Sequence, residues 1–353
     1  MNTSPSIFPL GREALAWLRQ GGRPTRIGLA HRLSYRWQSF WFERNLALQD
    51  RLRPASPINA APVFILGLWR SGTTYLHDLL GACPEMICPA TWQCMSPATF
   101  RLRHPPRASQ VIARPMDKFA IGAFSPQEDE FALLALGIPS VYRCFFDPRR
   151  LDEAAQWLKP DVWADLPDDW IEIWRNFLAG AADGRTGRLL LKSPSHMFRI
   201  RALLHAFPEA QYVWVVRDPE ETFFSNRKMW SAMFQEYALW DWEASQLDEF
   251  LRQAFSSAAE CLAYAIDVLP KNRLVVVDFN RLTNEPMETI KAINDRLRIG
   301  DWEKMQTTIR IAADEKVNYR KESHTSQTVM PEMQTVIEHT RQAYKAALTK
   351  YGL

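Results

Sequence analysis

The chain has 353 residues, with 43 Lys and Arg against 40 Asp and Glu for a net charge of +3, and 47% of it is hydrophobic. A balance this close to neutral gives no electrostatic reason to expect nucleic acid as a partner, and no apolar run reaches the roughly 20 residues that a membrane-spanning helix needs. The five cysteines (Cys83, Cys88, Cys94, Cys144 and Cys261) are odd in number and lack metal-ligand spacing, so a reduced, cytoplasmic setting is expected, with neither a metal site nor a disulfide framework.

No linker, repeat or low-complexity tract divides the chain. The expected organisation is an N-terminal basic helical arm at residues 1–60 packing on one domain at 61–353, with helical insertions at about 84–186 and 228–270. In the arm, arginines outnumber acids from Arg12 to Arg53, and RIGLAHRLSYRWQSFWFERNL mixes them with Leu29, Leu33, Trp37, Phe40 and Trp41. This pattern predicts a basic amphipathic helix. Such a helix either packs its aromatic stripe on the domain with arginines outside, the reading adopted here, or lies on an anionic membrane surface, a peripheral contact its composition permits.

Residues 61–80, APVFILGLWRSGTTYLHDLL, are the most informative stretch. Val63 to Leu66 suit one buried parallel strand. Gly67 to Gly72 form a turn, and Thr73 to Leu80 have helical spacing with Leu76, Leu79 and Leu80 on one side. Strand, glycine-bracketed loop and helix N-terminus together make an anion cradle of unpaired N–H groups and a positive dipole end. The G-x-x-x-x-G spacing matches a P-loop, but Thr73 follows where a nucleotide triphosphatase has lysine, and the basic residue is Arg70, inside the loop. A phosphate loop without the lysine that serves a γ-phosphate points to a donor that has none. A structural glycine turn is the alternative.

Further along, RPMDKFAIGAFSPQEDEFALL (Arg114 to Leu134) sets Glu128, Asp129 and Glu130 at the start of a helix. Ser125, Pro126 and Glu128 fit a capping box, and acids in a first turn favour the helix dipole. The same carboxylates are candidate general bases, Glu128 first. His77, in the loop helix, is the competing base, although a helical His is more often structural. Trp157, Trp163, Trp170 and Trp174 read as the core of a helical insertion, some of them lining a pocket.

Leu189 to Leu191 end a buried strand at Lys192, and Ser193-Pro194 begin a helix. Lys192 therefore projects from the same sheet edge as Gly67 and Arg217, where open α/β sheets bind ligands; an ordinary strand-end lysine is the plain alternative. In QYVWVVRDPEETFFSNRKMW, Tyr212 to Val216 are strand-like, Asp218 is an N-cap, Pro219 takes the first helical position and Glu221 completes a capping box. Arg217 then stands at a strand end and Ser225 two turns into the following helix. A planar multi-donor fork and a hydroxyl suit a phosphate dianion. Leu274 to Val277 form a late strand that turns into a helix, and NYRKESH carries Arg320 and Lys321 near the C-terminus.

FILGLWRSGTTYLH resembles the 5′-phosphosulfate loop of sulfotransferases that use 3′-phosphoadenosine-5′-phosphosulfate (PAPS), in the branch that writes RSGTT. The Arg217-to-Ser225 spacing resembles that family's 3′-phosphate site. The resemblance covers residues 61 to about 300. It implies an α/β, P-loop-like three-layer fold with a short central parallel sheet, helices on both faces and helical insertions. It further implies sulfuryl transfer from PAPS to an acceptor hydroxyl, releasing 3′,5′-ADP without a metal. In that reading Arg70, Ser71, Gly72, Thr73 and Thr74 hold the 5′-phosphosulfate and Arg217 and Ser225 hold the 3′-phosphate. Arg70 and Lys192 stabilise charge on the leaving oxygen, and one of Glu128, Asp129, Glu130 or His77 takes the acceptor's proton. Cytosolic relatives close on the 3′-phosphate with an RKG-x-x-G motif; its glycines are absent after Arg320-Lys321, which puts a role for Arg320 in doubt. The acceptor is expected to be a small molecule or lipid bearing a hydroxyl, apolar or aromatic in character; oligomeric state stays open. A P-loop phosphotransferase and a non-catalytic nucleotide-binding scaffold remain as alternatives.

Overall fold

In the computed structural model the described residues are 5–6, 8–52, 61–107, 111–113, 120–160, 167–315 and 329–353. Two N-terminal helices, α1 (Arg12–Gln20) and α2 (Leu29–Gln49), precede strand β1 (Val63–Leu66) and helix α3 (Thr73–Gly81). Strands β2 (Met86–Ile87), β3 (Val111–Ala113), β4 (Ala120–Gly122), β5 (Arg188–Lys192), β6 (Gln211–Val216) and β7 (Leu274–Asp278) follow, with helices between and after them. Five strands form one sheet in the order β2-β5-β1-β6-β7, every pair parallel, while β3 and β4 make a separate antiparallel hairpin.

The apolar runs read from the sequence are these strands, because a parallel sheet with helices on both faces must be apolar at successive positions. Phe64, Leu66, Leu191, Tyr212 and Trp214 pack into one core layer. Val63, Ile65, Leu190, Val213 and Val215 pack into the other, against Leu76, Leu79 and Leu80 of α3. Each such buried side chain contributes on the order of 1.5–3 kcal/mol.

Several local expectations change. The segment at 84–186 supplies strand β2 and the β3–β4 hairpin, so that insertion is not purely helical. Ser193-Pro194 open a 3-10 turn, Pro194–Phe198, and the α-helix begins only at Ile200. Of the tryptophans between the motifs, Trp174 is buried and Trp157 and Trp170 pack at the core's edge; Trp163 lies outside the described residues. All five cysteines are buried.

The arm is anchored firmly. Phe8, Leu10, Leu15, Trp17 and Leu18 join the main core, Gly11 N–H donates to Ala135 O at 2.8 Å, and the Arg26 guanidinium donates to the carbonyls of Phe234, Gln235 and Ala238. The expected packing of the α2 stripe is not what forms, however. Leu29, Leu33, Trp37, Phe40 and Trp41 face outward, and the helix seats itself through Tyr35, Ser39, Phe42 and Gln49.

Candidate active site

Parallel strands bring their carboxyl ends to one edge of the sheet, and β1 lies between β5 and β6 at its centre. The edge presents the 67–72 loop after β1, Lys192 at the end of β5, Arg217 after β6 and Phe279 after β7. This is where open α/β sheets take ligands.

The loop is shaped by its glycines. Gly67 has φ 144° and Gly72 φ 99°, and a Cβ on Gly67 would sit 2.5 Å from Val215 O. A Cβ on Gly72 would collide with the Phe279 ring. Arg70 takes a left-handed conformation at φ 66°, which costs on the order of 1 kcal/mol or more in a non-glycine residue. That conformation aims its side chain across the sheet edge, where Arg70 Nε donates to Ser225 Oγ at 2.9 Å. Ser71 N–H donates to Leu68 O at 3.1 Å, so it closes the turn and is not among the free donors expected over residues 71–74. The first intrahelical bond of α3 is Leu76 N to Gly72 O. The N–H groups of Thr73, Thr74 and Tyr75 therefore have no carbonyl one turn earlier within the helix. Ser71 Oγ is buried without a hydrogen-bond partner among the described residues.

Arg217 is fixed on three sides. Its guanidinium stacks 4.6 Å from the Phe279 ring centroid, Nη1 donates to Arg70 O at 3.1 Å, and Nη2 meets Glu221 Oε2 at 3.1 Å. Glu221 thus pairs with Arg217 and does not complete the expected capping box. Asp218 caps the helix as expected, its Oδ1 accepting from the N–H groups of Glu220 and Glu221. The other Asp218 oxygen accepts from Arg341, 3.2 Å away on the C-terminal helix Pro331–Tyr351. No sequence signal marked Arg341 or Phe279. Arg320 and Lys321 lie outside the described residues.

Beside the loop, Lys192 Nζ lies 2.5 Å from Glu128 Oε1 and 3.3 Å from Thr74 Oγ1. The other Glu128 oxygen accepts from Tyr142 Oη at 2.5 Å, and Tyr142 in turn accepts from Trp69 Nε1 at 3.0 Å. Burial and then the Glu128 carboxylate push the Tyr142 hydroxyl well above its usual range, so it stays protonated and donates. Tyr142 and Trp69 escaped the sequence reading because their partners come from distant segments.

The neighbours of Glu128 have other tasks. The expected Ser125 capping box does not form: Ser125 Oγ accepts from Gly122 N–H, and the helix starts at Glu130 with Asp129 as its N-cap. Glu130 is fully buried and holds Arg199 with both oxygens, at 2.6 and 2.9 Å. Asp129, equally buried, accepts from Ser193 Oγ and Trp174 Nε1 and faces His196 Nε2. Burial would raise its carboxyl, but His196, Ser193 and Trp174 bring it down to about 2. His77 is buried, and desolvation followed by the Lys192 charge lowers it to about 3, leaving a weak base with no exposed face. Of the four base candidates, only Glu128 keeps a partly exposed carboxylate beside Lys192.

No group of three or more His, Cys, Asp or Glu suited to hold a metal occurs among the described residues.

The segment carrying these groups, residues 62–304, matches the sulfotransferase family, and the chain belongs to that family. It is 27% identical over 311 residues, spanning 86% of this chain and 77% of each relative, to the ω-hydroxy-β-dihydromenaquinone-9 sulfotransferase Stf3 of Mycobacterium bovis and of Mycobacterium tuberculosis. Two solved structures share the fold. Sulfotransferase STF9 of Mycobacterium avium has a TM-score of 0.63 at 21% identity, over 88% of this chain and 80% of its own. STF1 of Mycobacterium tuberculosis has a TM-score of 0.61 at 18% identity, over 95% of this chain and 92% of its own.

Proposed function

We propose that the protein transfers a sulfuryl group from PAPS to the hydroxyl of an apolar acceptor, releasing 3′,5′-ADP. The observation that carries this reading is the Thr74–Lys192–Glu128 cluster, which sets a cation and a carboxylate side by side at the mouth of the anion loop. The groups present fit such a donor. Ser71 Oγ is a buried hydroxyl without a hydrogen-bond partner among the described residues, and the N-terminus of α3 follows the loop directly. Arg217 and Ser225 offer donors for a 3′-phosphate, which ATP lacks.

The donor supplies an activated sulfuryl group on a 5′-phosphate leaving group. Glu128 accepts the acceptor's hydroxyl proton as the new S–O bond forms and the bond to the bridging phosphate oxygen breaks. Lys192 then shifts its attention from Glu128, neutralised by that proton, to the charge developing on the departing oxygen. Arg70 and the α3 N-terminus stabilise the same charge. Tyr142 holds the carboxylate's second oxygen and keeps it aimed. Positioning and electrostatics carry the catalysis, as in phosphoryl transfer.

Trp69, Tyr142, Phe145, Phe198 and Trp230 form a connected set of buried rings that reaches the carboxylate through Tyr142. Stf3, by its name, acts on a hydroxylated menaquinone, and a hydroxyl-bearing isoprenoid or aromatic lipid is the acceptor class we infer for this chain. Incubation with PAPS and a panel of hydroxylated lipids, phenols and sugars, read by mass spectrometry for the gain of one sulfuryl group, tests the activity and the acceptor class. A thermal shift with ATP but none with 3′,5′-ADP would instead favour a phosphotransferase.

A further inference from the structure

Seven of the eleven large hydrophobic side chains exposed among the described residues fall between Leu29 and Leu52, on or just after α2. Leu29 and Trp37 are each 63% exposed, Phe40 57%, Leu33 51% and Trp41 39%. They follow one another at helical spacing, so they make one continuous stripe. The three rings also touch, with centroids 5.5 to 6.4 Å apart. The helix is therefore apolar on two sides: Tyr35 and Phe42 pack inward, and this stripe faces outward where an ordinary surface helix turns polar side chains. Its inward side carries Ser39 and Gln49, and Gln49 binds Pro97 O at 2.9 Å and Arg101 N–H at 3.0 Å. Those bonds, with the anchored α1, hold the stripe outward on a fixed base.

Charge selects the occupant. Arg36 and Arg44 are exposed within the stripe, Arg32 lies at its margin, and Arg51 follows just beyond. Glu43 is the only acid in α2, and its Oε1 accepts from Arg12 N–H. A second copy pairing its own α2 on this face would bring Arg36 and Arg44 against the same arginines, with Glu43 already engaged by Arg12 N–H and Asp50 only at the helix end. Tryptophan, leucine and arginine on one helical face are the side chains that settle at a lipid interface, with rings at headgroup depth and guanidinium groups on lipid phosphates.

We propose that α2 docks the protein on the surface of an anionic lipid bilayer, lying flat with Leu29, Leu33, Trp37, Phe40 and Trp41 in the interface. No helix among the described residues is long and apolar enough to cross a membrane, so the contact is peripheral. Docking does not depend on which acceptor takes the sulfuryl group, and its test needs no turnover.

The test is sedimentation of the full chain with vesicles of phosphatidylcholine alone and of phosphatidylcholine with 30% phosphatidylglycerol (~30%, chosen to give a clear surface charge). The wild type should bind the anionic vesicles and shift its tryptophan emission to the blue. Trp37→Ser/Phe40→Ser/Trp41→Ser should lower the bound fraction about tenfold or more, and Arg36→Gln/Arg44→Gln should remove the preference for anionic vesicles and weaken the salt dependence. These side chains are exposed, so an unchanged thermal midpoint certifies the fold. A wild type that ignores anionic vesicles overturns the proposal, as does a triple variant that binds them equally well. A dimer in sedimentation velocity that the triple variant converts to monomer, without vesicle binding by the wild type, would assign the stripe to a second copy instead.

Discussion

The loop at 67–74 and the acidic turn at 127–130 meet at Lys192, yet opposite means shape them. The loop carries its instructions locally: two glycines at positive φ, a helix starting at Thr73, and an arginine strained into the left-handed region. The turn carries almost none. Its three acids diverge because partners from elsewhere claim them: Arg199 takes Glu130, Ser193, His196 and Trp174 take Asp129, and Lys192 with Tyr142 takes Glu128. Local geometry makes the loop; tertiary partners decide which of three adjacent carboxylates stays partly exposed.

The sharpest way to break this contrast is to neutralise two acids that stand two positions apart. Glu130→Gln should leave Arg199 without its carboxylate in the interior and cost on the order of 3–5 kcal/mol, seen as a lower urea midpoint. Enzyme that does fold should keep near-normal turnover per folded molecule. Glu128→Gln should do the reverse, keeping its unfolding free energy within about 1 kcal/mol while losing roughly a hundredfold or more in rate, with less loss for acidic phenols that ionise unaided. If the stable, inactive protein proved to be the Glu130 variant, the two residues would have to exchange roles.

On the loop side, Arg217→Ala should weaken 3′,5′-ADP binding by on the order of 2–3 kcal/mol in calorimetry while hardly changing affinity for 5′-AMP. Equal losses for both nucleotides would move Arg217 from a 3′-phosphate contact to a general support of the loop. The smallest effect, taken per pH unit, concerns pH. His77 is lowered to about 3 from an ordinary 6.5, so between those values the unfolded chain takes up a proton that the folded one refuses. Stability should therefore fall as pH drops through that window, by at most about 1.4 kcal/mol per pH unit from this group. Asp129, lowered to about 2, adds a loss of the same sign only below about pH 4. His77→Leu should flatten the slope of unfolding free energy between pH 6.5 and 4.5; an unchanged slope would mean that His77 accepts its proton in the folded state.

The same contrast explains what could be read from the sequence. Val63–Leu66, the Gly67–Gly72 spacing and the Asp218-Pro219 helix start were legible because strand period, turn stereochemistry and capping are short-range rules. Lys192 was legible too, as the last residue of an apolar run. The false capping box at Ser125 shows where such rules stop: Gly122 N–H, made available by the hairpin, won the serine hydroxyl. Tyr142, Arg341 and Phe279 act through contacts across long separations in the chain, which no local pattern encodes. The α2 stripe was legible as amphipathic, but its orientation was not, since periodicity marks a face without saying which way it turns.

Phe279 serves two masters with one ring: its edge closes under Gly72, and its face supports the Arg217 guanidinium. The two ends of the proposed nucleotide cradle therefore share a single keystone. A larger ring at that position would lift the loop, and a smaller one would slacken both ends together. Tuning of the loop and of Arg217, the proposed 5′ and 3′ grips, is thereby tied into one variable, so drift at position 279 should be tolerated only when the loop and the arginine shift in concert.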